Sequence, residues 1–152
     1  MNATTINTGT TNIGTLNTTT RFLPFAGRLL LGGIFLMSGL SKLTAYTGVT
    51  AAISGAGLPF APLGFAVAVL VEIGLGVLLL IGYRVRPVAL SLAIWCLVTA
   101  IFFHSNFADQ NAMIHFFKNF AIIGGLLQVA AFGPGKMSLD ARRLNFAHQL
   151  AR

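Results

Sequence analysis

Glu72 is the only charged residue in the run 60–81, FAPLGFAVAVLVEIGLGVLLLI. A carboxylate at the centre of an apolar run of membrane length costs about 2.5–3.5 kcal/mol to insert. A chain carries that cost when the group is paired, protonated or set against a wet cavity. Such a group can exchange a proton, hold a ligand or anchor a partner; it can also be a purely structural half of an ion pair. The other polar side chains within or at the ends of apolar runs are Arg28, Lys42, His104, His115, Lys118 and Asn119. Together with Glu72 they form the candidate polar cluster. Catalytic and cofactor-binding residues in the strict sense are not assigned by these residues. No Cys/His grouping with metal-ligand spacing exists, and the single cysteine, Cys96, cannot form an internal disulfide.

The elements that must position these groups are apolar segments. Of the 152 residues, 55% are hydrophobic and 9% charged, with a mean hydropathy of +0.81. Soluble domains carry about 25% charged residues, so the solvent for most of this chain is lipid. Continuous apolar runs exclude a β-barrel, whose strands alternate. Four runs approach the roughly 20 residues needed to span a bilayer, at 22–43, 60–81, 86–103 and 112–132. The expected fold is an all-α membrane protein, a bundle of four transmembrane helices over 21–135. Residues 1–20, Thr- and Asn-rich, are expected to form a disordered tail. They do not resemble a cleaved signal peptide, which begins with basic residues followed directly by an apolar core. Residues 136–152 form a basic tail in which Leu139, Leu144, Phe146 and Leu150 could build a short interfacial helix. The Gly- and Ala-rich loop 45–58 could dip into the interface.

The net charge of +7 is not a nucleic-acid footprint, because the basic residues sit at the ends of apolar runs. Arg21, Arg28, Arg84, Arg86, Lys136, Arg142, Arg143 and Arg152 fall on one side, and Lys42 and Lys118 on the other. The positive-inside rule then predicts both termini in the cytoplasm.

Helical spacing sorts the polar groups by face. Arg28, Gly32, Phe35, Ser38, Gly39 and Lys42 align on the first span; Phe65, Ala68, Glu72, Gly76 and Leu79 on the second; Ser91, Trp95 and Thr99 on the third. His115, Lys118, Asn119, Ile122 and Gly125 gather on the fourth. Cβ bonds tilt toward a helix's N-terminus, so Lys42 leans toward mid-membrane and Glu72 toward it. Lys42 is therefore the first expected partner of Glu72, and Lys118 the second. The plainer readings are that Arg28 snorkels to the headgroups and that Ser38, Ser91 and Thr99 bond back to their own helices. In the same vein, Trp95 packs in the core, Cys96 is an inert thiol, and the two histidines sit at the wet interface.

Read in order, several of these pieces resemble one family. They are RLLLGGIFLMSGLSKL at 28–43, GLPF at 57–60, EIGLG at 72–76 with GYR at 82–84, KNFA at 118–121, and GPG at 133–135 ahead of SLD at 138–140. Their order and spacing are similar to the DoxX family of small bacterial membrane proteins, over about residues 21–143. The resemblance implies a multi-pass protein of the bacterial inner membrane. It also implies a link to membrane redox systems, some of them quinone-coupled, with redox proteins or further copies of the chain as partners besides the lipid bilayer. Arg28, Lys42, Glu72 and Asn119 match polar positions of the family pattern. No cofactor motif is evident in the sequence. A quinone is the candidate ligand, because Glu72, His104, His115 and Trp95 could supply the His and carboxylate groups that quinone sites place near the carbonyls. Whether the chain is itself an enzyme stays open, and a scaffold or a small transporter are the competing functions.

Overall fold

The computed structural model describes residues 13–150. Helix α1 runs Ile13–Thr44 and α2 runs Tyr46–Gly55. The second span is built from α3 (Ala61–Leu70), a π-helical turn (Val71–Leu75) and α4 (Gly76–Ile81), without interruption. Helices α5 (Val85–Phe103), α6 (Gln110–Phe132) and α7 (Leu139–Leu150) complete the chain. The stretches Phe22–Thr44, Ala61–Ile81, Val85–Phe103 and Gln110–Phe132 are long and apolar enough to cross a membrane. The fold is an all-α bundle of four candidate spans, and no strand occurs among the described residues.

Most expected bounds move by a residue or two. The exception is α1, which is helical from Ile13, so 13–20 is corrected from a structureless tail to helical backbone. Adding a residue to a formed helix needs no new nucleus, and the polar residues extend the span that follows. The rest of the expected tail, 1–12, lies outside the described residues. The loop 45–58 contributes α2, and the continuous second helix expected from the sequence instead carries the π-turn.

The spans run alternately up and down. One end of the bundle holds α2 and the 104–109 connection; the other holds the 82–84 connection and α7. Residues such as Leu30, Met37, Leu70, Ile94 and Phe117 remain exposed on the outside, where lipid is their natural partner. Inside, Leu79, Val85, Ala89, Leu92 and Leu126 are fully buried and fill the α7 half. Toward the α2 end this core gives way to a cavity bordered by Phe35, Cys96 and Ile122.

The termini of the second span show how sequence chemistry sets the turns. Pro62 falls in the first turn of α3, where a missing N–H is no loss. At the other end Gly82 has φ +76°. Its N–H and that of Tyr83 close back on the carbonyls of Leu79 and Leu78, the Schellman arrangement that glycine favours.

Candidate functional site

The centre of the site is an ion pair between α1 and the π-turn. Lys42 Nζ donates to both carboxylate oxygens of Glu72, at 2.9 Å to Oε1 and 2.7 Å to Oε2. The same ammonium donates to Ser38 Oγ at 2.8 Å. Trp95 Nε1 donates to Glu72 Oε1 at 3.2 Å. Glu72 is 5% exposed, and three separate elements meet at its carboxylate: α1, the π-turn and α5.

Close helix approach makes this possible. A Cβ placed at Gly39 would stand 2.6 Å from Ile73 Cγ1 and 3.2 Å from Glu72 Cβ, so any larger residue there would push α1 off the π-turn. Most of the expected inner stripe of the second span holds: Ala68, Glu72, Gly76 and Leu79 are buried, while Phe65 is half-buried. The π-turn falls where Glu72 is held. Such turns are strained relative to α-helix and concentrate at functional sites.

The pair opens onto a cavity of about 890 Å³ that reaches α1, α2, α3, the π-turn, α5 and α6. That volume lies within the usual range for small-molecule sites, about 300–1,000 Å³. Its wall is mostly apolar, with Val49, Ala52 and Ile53 of α2 forming part of it. His104, His115, Lys118 and Asn119 line the same space. The two imidazoles stack with centroids 5.1 Å apart. Lys118 Nζ lies 2.7 Å from His115 Nδ1. Because an ammonium can only donate, His115 accepts at Nδ1, which leaves the proton of the neutral ring on Nε2. Burial holds His104 below its usual range, with the neighbouring His115 and Lys118 adding to the effect.

The predicted cluster therefore divides. Lys42 pairs with Glu72, as the Cβ geometry suggests, while Lys118 bonds His115 instead. Lys118, Asn119, His104 and His115 share the cavity with the pair. Arg28 does not. It is 1% exposed rather than snorkelling, and it lies toward the α7 end. Its Nη1 donates to the carbonyls of Leu79 at 3.2 Å and Leu80 at 3.1 Å. Its Nη2 donates to the carbonyl of Met137. The physical reason is local: the last carbonyls of a helix lack intrahelical partners, and a guanidinium can bridge several of them.

One further expectation changes: Trp95 is a hydrogen-bond donor rather than packing alone. Ser38 keeps its bond within α1, but as the acceptor of the Lys42 ammonium one turn on. Thr99 does bond back, to the carbonyls of Trp95 and Cys96. A signal for Trp95 was available: an indole N–H deep in a span needs an acceptor, and Glu72 is the acidic group within the spans. Sequence reasoning also passed over Asp140. Its carboxylate accepts from the backbone N–H groups of Arg84 and Val85 at 2.8 and 2.9 Å, so α7 caps the start of α5.

This architecture defines a class, a small four-span membrane bundle with a charged pair buried beside a half-open cavity. The DoxX family model matches residues 23–105, and the chain belongs to the DoxX family. It is 39% identical over 120 residues to the inner membrane protein YqjF of Escherichia coli (strain K12), covering 78% of this chain and 88% of YqjF. It is 32% identical over 115 residues to the inner membrane protein YphA of the same strain, covering 72% and 81%. No solved structure matches it significantly. Four candidate spans and these relatives make it a multi-pass protein of the bacterial inner membrane.

Proposed function

We propose that this protein is the membrane-embedded, ligand-binding subunit of a redox system and that its cavity takes a quinone. The observation that carries the reading is the cavity of about 890 Å³, apolar over most of its wall yet reaching Trp95, Glu72 and Lys42 as well as His104 and His115. A quinone offers two carbonyl acceptors on a flat ring with an apolar tail, and the imidazole N–H groups of His104 and His115 are donors within an apolar slot. The sequence holds one cysteine and no paired redox thiols, so in this reading a partner protein delivers the electrons.

The test is thermal stability of detergent-purified protein titrated with decyl-ubiquinone. A saturable rise in Tm is expected, reduced in Trp95→Phe and abolished in Ala52→Phe, which fills the cavity. A flat titration, with partner proteins but no quinone in the gently purified material, would replace this reading with that of a scaffold.

In the proposed orientation both termini and the 82–84 connection face the cytoplasm, supported by the excess of basic residues on that side. The cavity then lies toward the periplasmic half. A reporter active only in the periplasm should be silent when fused at the C-terminus and active when inserted between α2 and α3; the reverse pattern would invert the topology.

A further inference from the structure

The two polar ends of the cavity differ in what they have left to offer. At the Glu72 end the chemistry is spent. Lys42 has three N–H donors, and they reach Ser38 Oγ, Glu72 Oε1 and Glu72 Oε2. Glu72 in turn accepts from Lys42 and Trp95. The pair is neutral as a unit, and a hydrogen-bond acceptor can use its donors only by breaking it.

The other end is open. Among the described residues Lys118 makes one side-chain contact, to His115 Nδ1, which leaves donors free and its charge without a carboxylate. Glu72 is the one acid in the cavity wall, and Lys42 already neutralises it. Asn119 and the Nε2–H of His115 add donors beside Lys118. A group of donors with net positive charge, set against an apolar wall, is matched by an anion with an apolar body.

We propose that the Lys118–His115–Asn119 wall is an anion seat and that the cavity prefers amphiphiles with an acidic head. A carboxylate or phosphate oxygen would accept from Lys118 and its neighbours, while the chain lies along the α2 and α3 wall. The inference rests on the cavity being a ligand site, and it adds the class of head group: acidic in preference to neutral or cationic. A free fatty acid and a phospholipid could each present such a head.

Trp95 supplies the readout. It is the chain's one tryptophan and lines the cavity, so a brominated chain that enters should quench its fluorescence. The protein, in nanodiscs of zwitterionic lipid, is titrated with 12-bromododecanoate, 12-bromododecyl phosphate, 12-bromododecanol and 12-bromododecyl-trimethylammonium, and separately with decyl-ubiquinone. The acidic probes are expected to quench at concentrations about tenfold lower than the alcohol, the size expected for one charge-assisted hydrogen bond. Lys118→Met should erase the difference, and Lys118→Arg should keep most of it. Lys118 is exposed, so these changes leave the packed core intact.

Stronger binding of the carboxylate would identify a free acid as the source, and stronger binding of the phosphate a phospholipid head. Equal quenching by acid, alcohol and ammonium, or an acid preference unchanged in Lys118→Met, overturns the anion seat. Binding of decyl-ubiquinone that ignores Lys118 would leave the quinone reading standing while this inference fails. Acid binding without quinone binding would do the opposite. Quenching by none of the probes would overturn both.

Discussion

Glu72→Gln and Lys42→Met should each lower the thermal stability of the purified protein severely, and the double variant should regain part of the loss. Each single change leaves an unpaired charge inside the bundle. Breaking a buried pair from one side costs about 3–5 kcal/mol. Lys42 retains 24% side-chain exposure against 6% for Glu72. Loss of Lys42 therefore strands the more deeply buried charge, and Lys42→Met should be the worse of the two. Glu72→Gln keeps an amide oxygen that can still accept from Trp95, which softens its effect. In the double variant neither charge remains. A Gln beside a Met is far less costly to bury than a lone carboxylate, and the coupling between the two changes should be strongly non-additive. Strictly additive losses, measured as melting temperatures in one detergent, would show that the pair contributes nothing as a pair. A Glu72→Gln variant that melts normally but loses ligand binding would instead place the carboxylate's importance in the ligand.

Much of this site could be read from the sequence because lipid makes charge expensive. Glu72 stands alone in an apolar run, so its need for a partner follows from composition. Helical spacing and Cβ tilt were then enough to choose Lys42 over Lys118. The same reasoning failed for Arg28. Near a span's end a long cation can reach water as easily as it can turn inward, and periodicity does not distinguish the two. What decided the matter was a feature distant in sequence, the carbonyls of Leu79 and Leu80 at the end of α4 with Met137 beyond them. The π-turn was also hidden. Leucine, isoleucine, glycine and valine serve α- and π-geometry alike, and the burial stripe from Ala68 to Leu79 reads as ordinary helix. The spans themselves were legible to within a residue or two, since their bounds are set by hydropathy, Pro62 and Gly82. The cavity was not, because a volume depends on how far helices stand apart, which no single helix face encodes.

Arg28→Met and Gly82→Ala should damage the α7 end of the bundle in the same way, although they lie far apart in sequence. Arg28 binds three carbonyls drawn from α4 and from the segment before α7. Hydrogen bonds to a charged group contribute about 1.5–3 kcal/mol each, so the loss from Arg28→Met should reach about 3–5 kcal/mol after some relaxation. Gly82 is where these elements meet. A Cβ there would fall 2.4 Å from Arg28 Nη1 and 2.5 Å from Ser138 Cβ, on a backbone with φ +76°. Alanine must therefore both strain the turn and push away the guanidinium and Ser138. Both variants should melt early, and both should loosen α7 so that trypsin cuts faster at Arg142 and Arg143, which are exposed but held in helix. Arg28→Lys should rescue little, since one ammonium cannot span three carbonyls with the guanidinium's fork. Asp140→Ala separates the two consequences. It removes the bonds to Arg84 and Val85 N–H, a cap worth about 1 kcal/mol, but leaves Arg28 in place. Trypsin sensitivity should rise in Asp140→Ala while the melting temperature falls only modestly. An Arg28→Met protein with an unchanged melt and an unchanged tryptic pattern would mean that the side chain does lie out among the headgroups, and that α7 is held by its other contacts, such as Asp140 on Arg84 and Val85 and Arg143 over Tyr83.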